Sequence, residues 1–447
     1  MTLFAGLLAG VVGIAPASPS FAESYTLSEA VGDSRVFRVE SHVDVQGQLE
    51  TATGKDKAVS IKLDVGATQI FLERRLSGTG RGAQALRSLR SYRQAEARIE
   101  AGDNIASSRL RDSRRAIVAQ GRPEGVEFYC PAGTMNSTEL ELLQAPGDGL
   151  AALSLLPQKA VEIGESWKTP SWVIQMLSGT EAVLKNEMSC TLQSVTSKVA
   201  RVTFEGSVEG ATVGASTEIK LVGHFLFDLQ NKYLQSLELR QTEKRSVGAV
   251  SPGMDVAANV KLTRSLSNNA GSLTKAAADS IPLEPDASLL LVELRLPWGV
   301  NLLYDRHWHV FHTTQEAAVL RLMEKGSLAA QCNVTKVNAV QPGHHTPEIR
   351  FQNDIRTALG EKLTEIARAE ELQTNDEHYR YRVTALGTAN GLDMSWIYYL
   401  CTAPSGQQAA LVFAFESKKA ETLADRDLRI VKSLQFVNAK KPFAAAN

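Results

Sequence analysis

The sequence is poor in several features that would point to a specific chemistry. Aromatic residues make up 6% of its 447 residues and the formal net charge is −1, so composition favours neither nucleic acid nor an anionic membrane surface as a partner. The four cysteines include no Cys-x-x-Cys pair, which excludes zinc-ribbon and thioredoxin-type sites. The nucleophile-elbow motif and the phosphate-loop motif do not occur. We therefore expect a protein that is not an enzyme and that uses no cofactor.

Only one apolar run is conspicuous, and it lies at the N-terminus. Leu3 to Pro16 is apolar and small, and small residues at the −3 and −1 positions follow, up to Ala22. This pattern is typical of an export signal, although no Lys or Arg precedes the run. The run is too short to span a bilayer comfortably, and no other segment is long and apolar enough. We predict a signal peptide over residues 1–22, a periplasmic or cell-surface location, and no transmembrane segment after signal removal.

Strand-like alternation dominates the next part of the chain. Val36–Val45 alternates apolar and polar residues, and five further strands are predicted between Glu187 and Arg264. Ala83–Glu100 is rich in Ala, Leu, Arg and Glu, with apolar residues at helical spacing, and predicts one amphipathic helix. Consecutive strands of this kind imply an antiparallel meander that curls around its own core, a helix or a ligand.

A small, polar segment over residues 266–288 has no periodicity and predicts a linker. It divides the chain into an N-terminal β-rich domain over 23–265 and a C-terminal domain over 289–438, with a disordered tail over 439–447. In the second half strands alternate with helices. The clearest helix is predicted over Pro347–Arg368, and Glu316–Glu324 is predicted to be partly helical. The expected fold class is α+β.

The second half resembles the PsbP-like family. The resemblance is carried by Gly299–Tyr304 leading to Trp308, by the helix after Pro347, by Trp396–Leu400, and by the closing Leu428–Phe436. It implies an α/β/α sandwich with an antiparallel sheet. Relatives of this kind are mostly non-catalytic binding or assembly proteins, so the resemblance offers no active site to transfer.

The first half is similar to exported bacterial β-rich domains of unknown function. Leu156-Pro157 and the segment Val161–Trp167 carry that similarity. Such domains distantly resemble the LolA-type half-barrel carriers of lipoprotein and lipid. This resemblance implies a curled sheet whose concave face holds an apolar ligand.

Arginine is concentrated in one stretch. Between Arg74 and Arg122 there are twelve arginines, no lysine and four acidic residues, a local net charge of +8. Arginine binds carboxylate and phosphate in a bidentate way, so the stretch predicts a patch for an anionic envelope component, a lipid headgroup or an acidic protein. The alternative is a solvated helix paired with acidic residues elsewhere. The candidate residues are Arg87, Arg90, Arg98, Arg109, Arg111, Arg114 and Arg115.

Histidine and cysteine supply the remaining candidates. His307 and His309 would share one face of a strand, so that with His312 or His378 they form a possible metal site; the alternative is a set of solvent-facing histidines. In an oxidising compartment the even cysteine count permits the disulfides Cys130–Cys190 and Cys332–Cys401, while four buried free thiols are the alternative.

Three functions remain open from the sequence. The first is a non-catalytic envelope protein with a binding or assembly role. The second is a carrier of a lipid or other apolar ligand in the N-terminal domain. The third is a metal-dependent enzyme that uses the histidines of the second half.

Overall fold

The computed structural model describes residues 23–30, 34–53, 57–79, 82–373 and 376–437. β-Strands account for 55% of the structure and helices for 16%. The expected α+β class, with a one-helix meander and an α/β/α sandwich, is therefore wrong, because large antiparallel sheets dominate and helices are few. The predicted signal peptide (1–22) and the predicted tail (439–447) lie outside the described residues.

The described residues form 26 strands and seven α-helices. The strands of the first half are β1 (Ser24–Tyr25), β2 (Val36–Thr53), β3 (Lys57–Leu76), β4 (Arg87–Ala101), β5 (Asn104–Arg109), β6 (Ala116–Arg122), β7 (Gly125–Tyr129), β8 (Met135–Asn136), β9 (Val161–Glu162), β10 (Ser166–Lys168), β11 (Ala182–Asn186), β12 (Ser189–Val195), β13 (Val199–Thr212), β14 (Ala215–Asp228), β15 (Tyr233–Arg245) and β16 (Gly253–Ser267). Those of the second half are β17 (Val292–Leu296), β18 (Val300–Tyr304), β19 (Trp308–Thr313), β20 (Ala317–Glu324), β21 (Ser327–Val337), β22 (Leu363–Glu371), β23 (Tyr379–Ala389), β24 (Leu392–Thr402), β25 (Gln408–Glu416) and β26 (Gln435–Phe436). The helices are α1 (Ser137–Leu143), α2 (Gly149–Leu153), α3 (Ser171–Ser178), α4 (Lys275–Asp279), α5 (Glu348–Leu359), α6 (Ala420–Leu423) and α7 (Arg426–Ser433).

The largest sheet has 13 antiparallel strands. Its order is β10-β12-β13-β14-β15-β16-β2-β3-β4-β6-β7, with β11 beside β13 and β5 beside β4. Strict alternation makes one face apolar: in β14, Ile219 and Leu221 are buried, whereas Glu218 and Lys220 are exposed. The five strands predicted between Glu187 and Arg264 correspond to β12 through β16.

Three short helices fill the middle of the curled sheet. Helix α3 lies against β11 near one end of the strand order and against β6 and β7 at the other end, so the sheet curls around it. Leu150, Ile174 and Leu177 are fully buried there. Helix α1 begins with a capping box formed by Asn136 and Glu139.

Most of the helix predicted over Ala83–Glu100 is instead strand β4, and a short 3₁₀-helix over Gly82–Ala85 precedes it. This segment pairs with β3 along its length on one edge and with β5 and β6 on the other. Helix propensity is a weak local preference, and pairing on both edges overrides it. The arginines of this segment therefore alternate between the two faces of a sheet and do not share a helix face.

In the second half, a seven-stranded antiparallel sheet has the order β19-β20-β21-β25-β24-β23-β22. Helix α5 packs on one face against Tyr381 and Val383, and α7 lies on the other. The helix predicted over Pro347–Arg368 ends at Leu359, where Gly360 adopts a φ of +53° and the chain continues into β22. The segment Glu316–Glu324, predicted to be partly helical, lies in strand β20.

The two halves share packing and backbone hydrogen bonds. Strand β8 of the first half pairs in parallel with β17 of the second, and a four-stranded sheet β26-β18-β17-β8 results. One hydrophobic core contains residues of both halves. Part of the predicted linker (266–288) is also packed: Leu273 is buried against Val36 and Leu76 on the outer face of the large sheet.

Candidate binding site

An apolar surface lies on the inner face of the large sheet, beyond the interior helices. Backbone register places its residues side by side on β16, β2, β3 and β4. We call this set the apolar grid; its three rows are Ala258, Val45, Val65 and Ile99; Val256, Gly47, Leu63 and Ala101; and Met254, Leu49 and Ile61. Strand geometry gives the grid dimensions of roughly 14 Å by 14 Å.

The grid differs from the core in how far it is covered. Val256 and Ala258 are buried, but the grid residues of β2, β3 and β4 are only partly buried. Within the described residues, Leu63, Val65 and Ile99 belong to none of the three hydrophobic clusters. Removing such apolar surface from water gains about 25 cal/mol per Å². The grid is therefore suited to a ligand that covers it.

A column of three polar residues on β15 borders the grid. Register places Gln241 beside Ala258, Glu243 beside Val256 and Arg245 beside Met254. Arg245 donates from Nε to Glu243 Oε1 at 2.9 Å, and its Nη2 donates to the same oxygen. Gln241 donates from Nε2 to Glu243 Oε2 at 3.3 Å and to the carbonyl of Ser178 at 3.5 Å. We call these three residues the polar column.

Further along the same strands, on the inner face, the sheet encloses a cluster of paired charges. Arg90 donates from Nε to Glu73 at 3.2 Å and from both Nη atoms to Asp148 at 2.6 and 2.8 Å. Asp148 also accepts from the backbone N–H of Leu150 and so caps α2. Arg264 reaches Glu29 and Glu73, and Arg75 reaches Glu29. We call these six residues the interior ion cluster.

The interior ion cluster is balanced and closed to solvent. Its side chains are 0–1% exposed, apart from Asp148 at 8%. Burial alone would raise the pKa of Glu73, but the charges of Arg90, Arg264 and Arg75 outweigh it and hold this pKa below its usual value. Burial raises the pKa of the neighbouring Tyr92 to about 12. Because these side chains are buried and paired with one another, we assign them a structural role.

The predicted arginine patch is not one surface. Arg90 belongs to the interior ion cluster, and Arg87 donates to the carbonyls of Ser77 and Pro282 at 2.9 and 2.6 Å. Arg98 pairs with Glu100 on the outer face, where its side chain is 62% exposed. A bulge in β4 between Tyr92 and Gln94 shifts the alternation, so Arg90 faces the interior whereas Arg98, eight residues further on, faces outward.

The other four predicted arginines also have protein partners. Arg111 binds Glu139 at 2.6 Å and Glu293 of the second half at 2.9 Å. Arg114 donates to the carbonyl of Thr134 at 2.8 Å. Asp112 accepts hydrogen bonds from Arg115 and forms an ion pair with Arg109 at 3.5 Å. The stretch therefore contributes mainly to internal contacts.

The three predicted metal ligands do not converge. His307 contacts Asp305 at 3.1 Å, a hydrogen bond that raises the pKa of this histidine. His309 and His312 lie on β19, where a bulge between Val310 and His312 interrupts the alternation. Among the residues that the structure describes, no group of three His, Cys, Asp or Glu side chains is arranged to hold a metal ion.

All four cysteines are buried free thiols, and neither predicted disulfide is present. Cys332 and Cys401 share a sheet, but β25 lies between their strands and they are out of register. That separation exceeds the roughly 7 Å Cα limit for a disulfide. Burial raises the pKa of Cys190 and of Cys401 to about 12.

Two open clefts, of about 550 and 610 Å³, lie on the outer face of the large sheet. They share Val222 and Arg240, and their walls carry charges of both signs. Contacts across the strands already use several of these side chains: Arg240 donates to Asn259 at 3.1 Å, and His224 lies 3.9 Å from Glu238. This face has the character of an ordinary solvated sheet surface.

Sequence reasoning missed both the grid and the polar column. A sequence signal for the grid was present, because the alternation of Val36–Val45 continues through Gly47 and Leu49 and recurs in Ile61, Leu63 and Val65. What was missing was the register that brings strands so distant in sequence together.

No family model matches the chain, and no curated protein matches it in sequence. One similar solved structure is titled "Lipid-protein interactions in lipovitellin", with 10% identity, a TM-score of 0.30, and coverage of 58% of this chain and 27% of that one. The chain thus spans about a quarter of that protein. Pseudomonas putida OprB has 8% identity and a TM-score of 0.13, with coverage of 86% and 93%. The outer membrane protein OprD from Pseudomonas aeruginosa has 12% identity and a TM-score of 0.12, with coverage of 89% of this chain and 96% of that one.

At these TM-scores the likenesses establish neither a shared fold nor a function. In the part of the chain that the structure describes, no helix combines the length and the apolar character needed to cross a membrane.

Proposed function

We propose that this protein is an exported, non-catalytic binding protein that holds an apolar chain against the apolar grid. The observation that carries the proposal is the contiguous set of eleven grid positions, all apolar or glycine, of which those on β2, β3 and β4 stay partly exposed. An apolar area of roughly 14 Å by 14 Å fits an acyl chain or a molecule of similar size.

Three further features support this function over the others. Helices α1 to α3 occupy the middle of the curled sheet, so a ligand has only the region beyond them. The candidate arginines pair with protein groups. The side chains of His307, His309 and His312 do not converge on a metal site. Export rests on the apolar N-terminal run and the small residues before Glu23, and periplasm or cell surface is the proposed location.

Ligand binding can be tested with N-phenyl-1-naphthylamine, a neutral dye whose fluorescence rises in apolar sites. The wild-type protein should bind the dye, and palmitoyl-chain lipids should displace it. Leu63→Asp places a charge in the middle row of the grid and should weaken dye binding at least about tenfold, because a buried unpaired carboxylate is costly.

Val222→Asp is the matched control. Val222 is an apolar side chain of the same sheet, 50% exposed on the outer face, so this variant should bind as the wild type does. Equal binding by wild type and Leu63→Asp, or weaker binding by Val222→Asp alone, would contradict the proposal. If the protein forms a dimer when the dye is added, the grid binds a second copy of the chain, and this result would also contradict the proposal.

A further inference from the structure

The polar column borders the apolar grid along β15, whereas on the opposite edge β5 places the uncharged Ala106 beside Ile99 and Asn104 beside Ala101. The charged groups therefore lie on one side of the grid. Gln241, Glu243 and Arg245 stand one strand away from the three rows of the grid. A ligand lying along a row would bring its polar end to β15 and its apolar end to β4. A strictly apolar ligand would gain nothing from this arrangement.

The charges of the polar column are balanced. Arg245 donates from two nitrogens to one oxygen of Glu243, and Gln241 donates to the other oxygen. The side chains of Glu243 and Arg245 are 8% and 16% exposed. An anionic head group approaching Arg245 would meet the Glu243 carboxylate, and a cationic one approaching Glu243 would meet the guanidinium. In a partly buried site these repulsions are strong.

One acceptor of the column has no partner. The Oε1 atom of Gln241 is buried without a hydrogen bond among the described residues, and the residue as a whole is 4% exposed. The two acceptors that Nε2 contacts fix the orientation of the amide, because the flipped amide would place an oxygen against them. An unsatisfied buried acceptor of this kind costs about 1–3 kcal/mol, and a donor on a ligand would remove that cost.

From this geometry, and resting on the proposed function, we infer that the ligand is an amphiphile whose head group carries no net charge and offers a hydrogen-bond donor to the polar column. A monoacylglycerol has this chemistry, whereas an ionised fatty acid does not. Glu243 is the residue that rejects the anion, and Gln241 is the acceptor for the donor.

The test compares two ligands with the same chain, 1-monopalmitoylglycerol and palmitate, at about pH 8.5, where palmitate is ionised. Each displaces N-phenyl-1-naphthylamine from the wild-type protein. The monoacylglycerol should bind at least about tenfold more tightly. Glu243→Gln leaves Arg245 without its counter-charge and should shift the preference towards palmitate by a similar factor.

Two variants control for the fold and for charge in general. Glu238→Gln removes a carboxylate from the outer face of the same strand, where its side chain is 54% exposed, and should leave the preference unchanged. The double variant Glu243→Gln, Arg245→Gln restores neutrality and should restore the preference for the monoacylglycerol even if Glu243→Gln alone folds poorly.

The outcomes separate the two proposals. If neither palmitoyl ligand displaces the dye from the wild-type protein, the proposed function fails. If both bind equally, and the preference is the same in the wild type and in both Glu243 variants, the head-group inference is overturned while apolar binding stands.

Discussion

Arg264 and Glu29 form a bidentate ion pair inside the large sheet, with nitrogen–oxygen distances of 2.7 and 2.9 Å, although they lie 235 residues apart in the sequence. Glu29 also accepts from the backbone N–H of Leu234 at 3.2 Å. The pair fixes the segment that precedes β2 against β15 and β16. The interior ion cluster thus connects segments that are distant in the sequence, next to the apolar grid on the same sheet.

Loss of one charge from the interior ion cluster should be strongly destabilising. Glu73→Gln leaves Arg90 and Arg264 without part of their compensation in a solvent-free site, and we expect the free energy of unfolding to fall by about 3–5 kcal/mol. Urea denaturation followed by circular dichroism measures this. The control is Glu100→Gln, which removes the charge of a side chain that is 43% exposed; its effect should stay within about 0.5 kcal/mol. A loss below about 1 kcal/mol for Glu73→Gln would show that the interior ion cluster does not stabilise the fold.

The same carboxylate predicts a pH dependence of stability. The pKa of Glu73 is lower in the folded protein than in the unfolded chain, so its contribution is present above the unfolded value, near 4.3. The contribution is lost as the pH falls through the folded value. The urea midpoint of the wild type should therefore drop below about pH 4.5 more steeply than that of Glu73→Gln. Parallel pH profiles would mean that Glu73 does not contribute to acid unfolding.

The contact between the two halves can be tested at a pair of glycines. Gly214, in the β13–β14 turn, has a φ of +77°, and a Cβ there would lie 2.0 Å from the carbonyl oxygen of Gly326 in the β20–β21 turn. Gly391 also has a φ of +77° but nothing within 4 Å. Gly391→Ala should cost about 1–2 kcal/mol from backbone strain alone. Gly214→Ala should cost at least about 1 kcal/mol more because of the overlap. Equal costs in urea denaturation would argue against the contact.

The cysteines should be unreactive in the folded state. All four are buried, and burial raises the pKa of each thiol, so little thiolate is available near neutral pH. A thiol reagent such as Ellman's should detect none of them rapidly in the native protein and all four after denaturation without reductant. A deficit after denaturation would reveal a disulfide, and rapid native labelling would contradict the burial.

The strands were easier to predict from the sequence than the pairing between them. Alternation identified β2 and the run β12 to β16, because period-two patterns are local. It did not identify β4, whose helix-forming residues are held extended by strands on both edges. For the same reason the excess of arginine was visible while its partners were not: Glu29, Glu139 and Glu293 lie far away in the sequence.

The most direct test of the central claim is to locate the ligand. A monopalmitoylglycerol with a diazirine near the end of its acyl chain would be bound, photolysed and mapped by mass spectrometry of peptides. Labels should fall on β2, β3 and β4 at grid positions such as Leu63 and Ile99, and Leu63→Asp should reduce them. Labels confined to the outer face of the large sheet or to the second half, at similar binding, would contradict the proposal that the apolar grid is the binding site.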